Sequence, residues 1–311
     1  MITIIMNMKK IFPKLSGIML CFLLSCSAAY SQENLITARL MTYNIRHGAG
    51  MDDVIDLNRQ ADIIRRALPD VVGLQEVDSC VKRSGYIHQA LVLADSLGMY
   101  STFGGAIPLT GGKYGVAILS KQPPLSVHQL PLPGTEARTL LVCEFQDYVF
   151  ATTHLDLDDS CRLASLPVII EEAGRWDKPF FICGDWNDEP SSLFITAMKN
   201  GGFEFLNYNS DSSTFYTFPA GKPNKIIDYI ASYGRVVRSI RTRRVFNEPV
   251  ASDHRPVLVE IRIAANASGI NSALETGAGS EEDKTFDIAG RSVSHNNLHG
   301  VYIQGGKKVL K

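Results

Sequence analysis

Six short polar motifs, each standing where an apolar run ends, hold the reactive side chains of this chain: Tyr43-Asn44, Gln75-Glu76, Thr153-His154, Gly184-Asp185-Trp186-Asn187, Ile227-Asp228 and Ser252-Asp253-His254. The set consists of carboxylates, amides and imidazoles, with no conspicuous Ser or Cys nucleophile. Hard oxygen ligands and imidazoles are the groups that metal-assisted attack of water on a phosphate ester requires.

Each motif has a chemical and a structural reading. Glu76 closes a buried strand, where a carboxylate suits magnesium or manganese, though a solvated Glu at a strand end fits as well. Asn44 taken alone is a turn residue. Gly184 lets the chain turn so that Asp185 and Asn187 face one opening. There an Asp can orient and deprotonate water, and an Asn can bond a phosphoryl oxygen without adding repulsive charge. An Asx turn uses the same residues, but the all-apolar run before them favours function. Asp228 interrupts Ile226-Ile227-Asp228-Tyr229-Ile230 and is costly to bury without a partner. His254 is the obvious one, and a carboxylate beside it fixes its tautomer and favours the protonated ring. An ion pair with Arg235, Arg238 or Arg241 is the structural alternative. His154 is a second imidazole at a strand end, fit to contact phosphate or to protonate a leaving oxygen, or else a satisfied structural residue.

These groups need a scaffold, and the hydrophobic pattern describes one. Apolar runs over Ala38–Asn44, Asp70–Gln75, Val116–Leu119, Leu125–Leu130, Thr139–Phe145, Tyr148–Thr153, Pro179–Cys183, Ile226–Ser232 and Pro256–Ile263 read as strands. Leu57, Ala61, Ile64 and Leu68 repeat at helical spacing until Pro69, and helices are also expected over His88–Leu97 and Arg162–Ala173. With 311 residues and 45% hydrophobic content, the chain has ample material for a mixed α/β domain built on two packed sheets. A formal net charge of -1 gives no strong overall field toward nucleic acid. The basic run Arg235–Arg244 alternates with apolar residues and reads as the solvated face of a strand.

Taken jointly and in chain order, the six motifs resemble the endonuclease/exonuclease/phosphatase superfamily of metal-dependent phosphoesterases, over roughly Ala38 to Ile263. The resemblance implies a four-layer α/β sandwich of two mixed β-sheets flanked by helices, the DNase I-like arrangement, with a site at one edge of the facing sheets. It implies that Asn44 and Glu76 bind Mg2+ or Mn2+, with Asp253 nearby or at a second metal. Asp185 would position or activate water and Asn187 would contact phosphate. His254 paired with Asp228 would stabilise the transition state, and His154 would act on phosphate or leaving group. Arg138, in the run Glu136 to Leu140, is an added phosphate contact or an ordinary surface Arg. A phosphate ester is the expected substrate of a monomeric enzyme. Nucleic acid, phospholipid head groups and sugar or inositol phosphates all stay open, and a non-catalytic scaffold that keeps the fold is the rival.

Boundaries follow from composition. Lys9, Lys10 and Lys14 precede the apolar stretch Leu15–Leu24 and small residues up to Ser31, so residues 1–31 read as an export signal. Cleavage after Ser31 would release a soluble protein, whereas Leu23-Leu24-Ser25-Cys26 resembles a lipobox and would leave Cys26 lipidated. Residues 35–263 form the main domain. Cys80, Cys143, Cys161 and Cys183 permit a disulfide in an exported protein, but Cys143 and Cys183 sit in apolar runs and read as buried hydrophobes. Residues 264–284 read as a flexible linker, and 285–311 as a small β-hairpin tail turning at Gly305-Gly306. The tail resembles C-terminal sorting segments of exported Bacteroidetes proteins, which implies secretion machinery as a partner.

Overall fold

The computed structural model describes residues 34–210 and 212–265, together with the backbone of four short strands between 285 and 310. The expected export signal lies outside these residues, as does the expected linker beyond Ala265; Ala264, its first expected residue, belongs to the last strand of the main unit.

In the main unit, strands β1 (Leu35–Asn44), β2 (Val71–Ser79), β3 (Tyr100–Leu109), β4 (Gly112–Ser120), β11 (Val237–Val245) and β12 (Val257–Ala264) form one six-stranded sheet in the order β11-β12-β1-β2-β4-β3. The second has the order β5-β6-β7-β8-β10-β9, from β5 (Ser126–Leu132), β6 (Arg138–Glu144), β7 (Val149–His154), β8 (Phe180–Asp185), β9 (Phe203–Phe205) and β10 (Asp228–Tyr233). Helices α1 (Leu57–Ala67) and α2 (Gln89–Leu97) cover the first sheet; α3 (Asp159–Ala173) and α4 (Leu193–Asn200) cover the second.

Side-chain alternation explains the layers. In β1, Ala38 and Leu40 face the second sheet, while Met41 and Tyr43 face α1 and α2. Both faces are dry, so the strands read as continuous apolar runs rather than alternating ones. The helices are stopped by local chemistry. Asp56 and Asp158 cap α1 and α3 by accepting from the backbone N–H groups of Asn58 and Cys161. Leu68 ends α1 in a left-handed conformation just before Pro69.

Parallel pairing places the site. β1 and β2 run side by side with Asn44 opposite Gln75, and β7 and β8 with His154 opposite Asp185. β10 runs antiparallel to β8 and begins with Asp228 opposite Asp185. The functional strand ends therefore share one edge of the sandwich. Beneath them the sheets are joined: Gln75 Nε2 donates to Thr152 Oγ1 at 2.8 Å and Thr42 Oγ1 donates to Gln75 Oε1 at 3.2 Å. Gly73 permits this approach, because a Cβ there would lie 2.4 Å from Cys183 Sγ.

The pattern missed three elements. β3 is a half-exposed strand rich in glycine, β9 has only three residues, and α4 is one short helix. β2 also continues past Gln75 through an irregularity that interrupts its apolar period. β11 is the solvated strand that its alternation predicts. None of the four cysteines is disulfide-bonded, and Cys143 and Cys183 are buried.

The C-terminal unit is a four-stranded antiparallel sheet, β14-β13-β15-β16, from β13 (Thr285–Asp287), β14 (Ser292–Val293), β15 (Val301–Gln304) and β16 (Lys307–Leu310). Gln304 pairs with Lys307 in the antiparallel β15–β16 ladder, and the expected turn at Gly305-Gly306 lies outside the described residues.

Candidate active site

Two backbone distortions aim the side chains. Between the pairs Leu74–Ala117 and Val77–Gly115, β2 carries one residue more than β4. Such a bulge re-aims a side chain, and Glu76, with φ of 58°, occupies it. Gly184 has φ of 152° and would place a Cβ 1.9 Å from the Thr153 carbonyl oxygen. Only glycine lets β8 lie this close to β7 and bring Asp185 beside His154. The turn that follows is the Asx turn expected from its sequence: Asn187, at φ of 52°, donates its N–H to Asp185 Oδ1 at 3.0 Å.

Asp185 is the hub. Asn44 Nδ2 donates to Asp185 Oδ2 and to Glu76 Oε1, each at 3.0 Å, while Asn44 Oδ1 accepts from the Arg46 N–H at 3.1 Å. Asn44 thus ties two carboxylates together through its nitrogen. His254 Nδ1 lies 3.0 Å from Asp228 Oδ2, and its Nε2 lies 3.4 Å from Asp185 Oδ2. His154 Nε2 lies 3.5 Å from the same oxygen and 3.1 Å from Asn187 Nδ2. Asn187 Nδ2 also donates to the Leu155 carbonyl at 2.9 Å, which fixes the amide orientation and makes His154 Nε2 the acceptor. Ser252 donates to the Asn44 carbonyl at 2.7 Å and accepts from the His254 N–H at 3.2 Å, so it seats the last motif on β1.

The imidazoles differ in charge. Burial disfavours protonation of His254, but Asp228 and Asp185 outweigh it and hold the ring up at about 10. Burial also acts on His154, and there Arg138 and His254 add to it against Asp185, so that ring falls to about 4. At neutral pH one ring is a cation and the other is neutral. The neutral state of His154 favours contact over proton donation, of the two roles its position allowed. Burial, then Asp253 and Asp185, push the Glu76 carboxyl up, against the Asn44 hydrogen bond that lowers it.

A cleft of about 470 Å³ opens over this network, lined by Glu76, Arg138, His154, Asp185, Asn187, Asp253 and His254. Seven of the nine expected residues therefore line it, and the other two bond directly to residues that do: Asn44 to Glu76 and Asp185, and Asp228 to His254 from behind. Arg138 is buried, with Nη2 3.3 Å from Glu136 Oε2 and Nε 3.6 Å from Asp156 Oδ2. Sequence reasoning missed Tyr114, Phe218 and Lys225, which also line the cleft. Tyr114 and Phe218 are aromatic residues in ordinary strand or turn context and carried no signal. Phe218 packs against the His254 ring at 4.8 Å between centroids, with the two planes tilted by 46°.

The donor set fits a hard divalent cation. Glu76, Asp185 and Asp253 bring three carboxylates to one cleft, and Glu76 is partly buried at the expense of its charge. A cation of the magnesium type relieves that repulsion with the oxygen ligands it prefers. Ligand-capable atoms of Asp185, Asp228 and His254 also lie within 4.8 Å of one another. His254 Nδ1 is committed to Asp228, however, and an imidazolium has no lone pair to give, so this trio is an ion-paired relay.

Comparison with known proteins agrees with this fold. No curated protein matches the chain. Among solved structures, an endonuclease/exonuclease/phosphatase from Beutenbergia cavernae is 20% identical, with a TM-score of 0.60 over 73% of this chain and 72% of that one. An endonuclease/exonuclease/phosphatase family protein from Bacteroides thetaiotaomicron is 18% identical, with a TM-score of 0.59 over 74% of this chain and 99% of that one. A mannosyl-6-phosphatase from the same organism is 18% identical, with a TM-score of 0.56 over 72% and 99%. At such identities the likeness shows the fold. The sequence pattern of the endonuclease/exonuclease/phosphatase family spans residues 41–254, from the strand that ends at Asn44 to His254, and the chain belongs to that family.

Proposed function

We propose that the protein is a divalent-metal-dependent phosphoric ester hydrolase, in which water attacks phosphorus in line with the departing oxygen. The observation that carries this reading is the convergence of two imidazoles on one carboxylate, Asp185, in the cleft that also holds Glu76 and Asp253. Glu76 and Asp253 would hold the cation, with Asn44 orienting Glu76. When bound, such an ion supplies Lewis-acid polarisation of a phosphoryl oxygen.

The chain's own groups do the rest. Asp185, its oxygens oriented by Asn44 and the Asn187 N–H, accepts the proton of the attacking water. His254 keeps Nδ1–H on Asp228 and offers Nε2–H to oxygens on which charge grows. Arg138 contacts phosphate; Asn187, whose two amide hydrogens go to His154 and the Leu155 carbonyl, does so only by releasing one of them.

Bis-p-nitrophenyl phosphate tests the reading, assayed with magnesium and with excess chelator. Hydrolysis is expected only with the metal, and to be lost in Glu76→Gln and His254→Gln proteins that fold normally. Activity that persists in either variant would overturn the assignment. A phosphodiester is the working substrate. A panel of DNA, RNA, sphingomyelin, inositol phosphates and mannose 6-phosphate, the last suggested by the named structural neighbour, assigns the class. Export and a sorting role for the tail are proposed from sequence alone, and a reporter fused to residues 264–311 and followed for secretion tests the latter.

A further inference from the structure

Tyr114, on β4, lines the cleft together with Glu76, Arg138 and His154, and its placement is fixed from behind. It stands opposite Asp78 in the β2–β4 ladder. Asp78 is fully buried and binds Arg83 through both oxygens, at 2.8 and 2.9 Å. The Arg83 guanidinium in turn lies 5.4 Å over the Tyr114 ring. A bidentate pair of this kind is directional, and a guanidinium on an aromatic face adds to it. The ring is thus held before any ligand arrives, in the strand pair whose bulge also aims Glu76.

The hydroxyl of this clamped ring has no hydrogen-bond partner among the described residues. Tyr229, by contrast, spends its hydroxyl on the carbonyls of Asp188 and Ile226. A phenol keeps its proton at neutral pH. A cleft already rich in carboxylates accepts an anion only where donors face it, and a neutral donor contributes without drawing in a further counter-ion.

We propose that Tyr114 is a further substrate-binding residue, which donates its phenolic O–H to a non-bridging phosphoryl oxygen, with Arg83 and Asp78 as positioning residues behind it. The proposal rests on the phosphoester reading of the cleft. No bond is made or broken by Tyr114 itself. Its contribution is a hydrogen bond to an anion, formed by a side chain that is already ordered.

Tyr114→Phe removes the hydroxyl and keeps the ring and its Arg83 contact. Calorimetric titration with inorganic phosphate in the presence of magnesium is the first measurement, and kcat and KM on bis-p-nitrophenyl phosphate the second. Phosphate affinity is expected to fall about tenfold, the value of one hydrogen bond to a charged group, with an unchanged melting temperature. Arg83→Gln is expected to weaken phosphate by less, and the double variant to be no worse than Tyr114→Phe, because Arg83 acts through the ring. Phosphate affinity equal to wild type in Tyr114→Phe, or no phosphate binding by the wild type, overturns the proposal. A wild type that binds phosphate through Tyr114 yet hydrolyses no ester removes the hydrolase reading and leaves this one standing.

Discussion

His154 and His254 bring their Nε2 atoms to 3.5 and 3.4 Å from the same oxygen, Oδ2 of Asp185, yet carry different charges. Burial opposes protonation of both. The difference lies in what stands behind each ring: Asp228 behind His254, Arg138 near His154. One carboxylate cannot hold two imidazolium ions so close, and the positive charge of His254 itself helps to keep His154 neutral. Asp185 is therefore flanked by a cation that can meet developing charge and a neutral ring that organises Asn187.

Asp228→Asn tests the origin of the His254 charge. Without Asp228, burial has less to oppose it, so the His254 pKa must fall from about 10. NMR titration of the ring protons is expected to show protonation persisting past pH 9 in the wild type and lost at a lower pH in the variant. Hydrolysis at pH 8 should drop by about a hundredfold, with the residual activity favouring acid pH. An unchanged titration would show that Asp228 does not set the charge.

His154 makes stability depend on pH in the acid range. Its folded pKa is lowered from 6.5 to about 4, so the unfolded chain binds the proton more readily between these values. The contribution is fully present above 6.5 and is lost as pH falls toward 4, a change of about 3 kcal/mol by linkage. Urea unfolding of wild type and His154→Gln at pH 7.5 and pH 4.5 measures it. The gap between the two proteins should shift toward the variant at the lower pH, and a pH-independent gap would contradict the neutral ring.

Much of this was legible in the sequence because strand ends are where apolar runs stop. Asn44, His154 and Asp185 each terminate such a run, and parallel pairing converts shared strand ends into shared space. Two things resisted. Glu76 sits on a bulge, and its left-handed φ leaves no mark on a sequence where any residue can occupy the extra position. Tyr114 and Phe218 are apolar-patterned residues whose cleft exposure depends on how two sheets face each other. Likewise, the nitrogen-first use of Asn44 depends on the Arg46 N–H claiming its oxygen, which is a matter of turn geometry rather than residue type.

The metal prediction turns on Glu76. Its carboxyl is pushed up by burial and by Asp253 and Asp185, so its ionised form costs stability in the metal-free protein as pH rises past the ordinary carboxylate range. Metal-free Glu76→Gln should therefore melt higher than metal-free wild type at pH 7.5. Magnesium should raise the wild-type melting temperature by several degrees and leave the variant nearly unmoved. Equal magnesium shifts in both proteins would place the cation elsewhere.

Gly184 joins fold to chemistry most directly. A Cβ at this position would stand 1.9 Å from the Thr153 carbonyl oxygen, and φ of 152° is itself a conformation that L side chains rarely adopt. Gly184→Ala must push β7 and β8 apart in the register that sets His154 opposite Asp185. Destabilisation above about 3 kcal/mol is expected from the clash and the backbone strain together. Gly85→Ala is the control: its φ is 73°, but a Cβ there meets nothing within 4 Å, so it should cost only about 1 kcal/mol. Urea midpoints separate the two, and hydrolysis by any folded Gly184→Ala protein should fall well beyond what its stability explains, because Asp185 moves with the strand. A Gly184→Ala protein with wild-type midpoint and turnover would show that the β7–β8 approach is looser than these distances require.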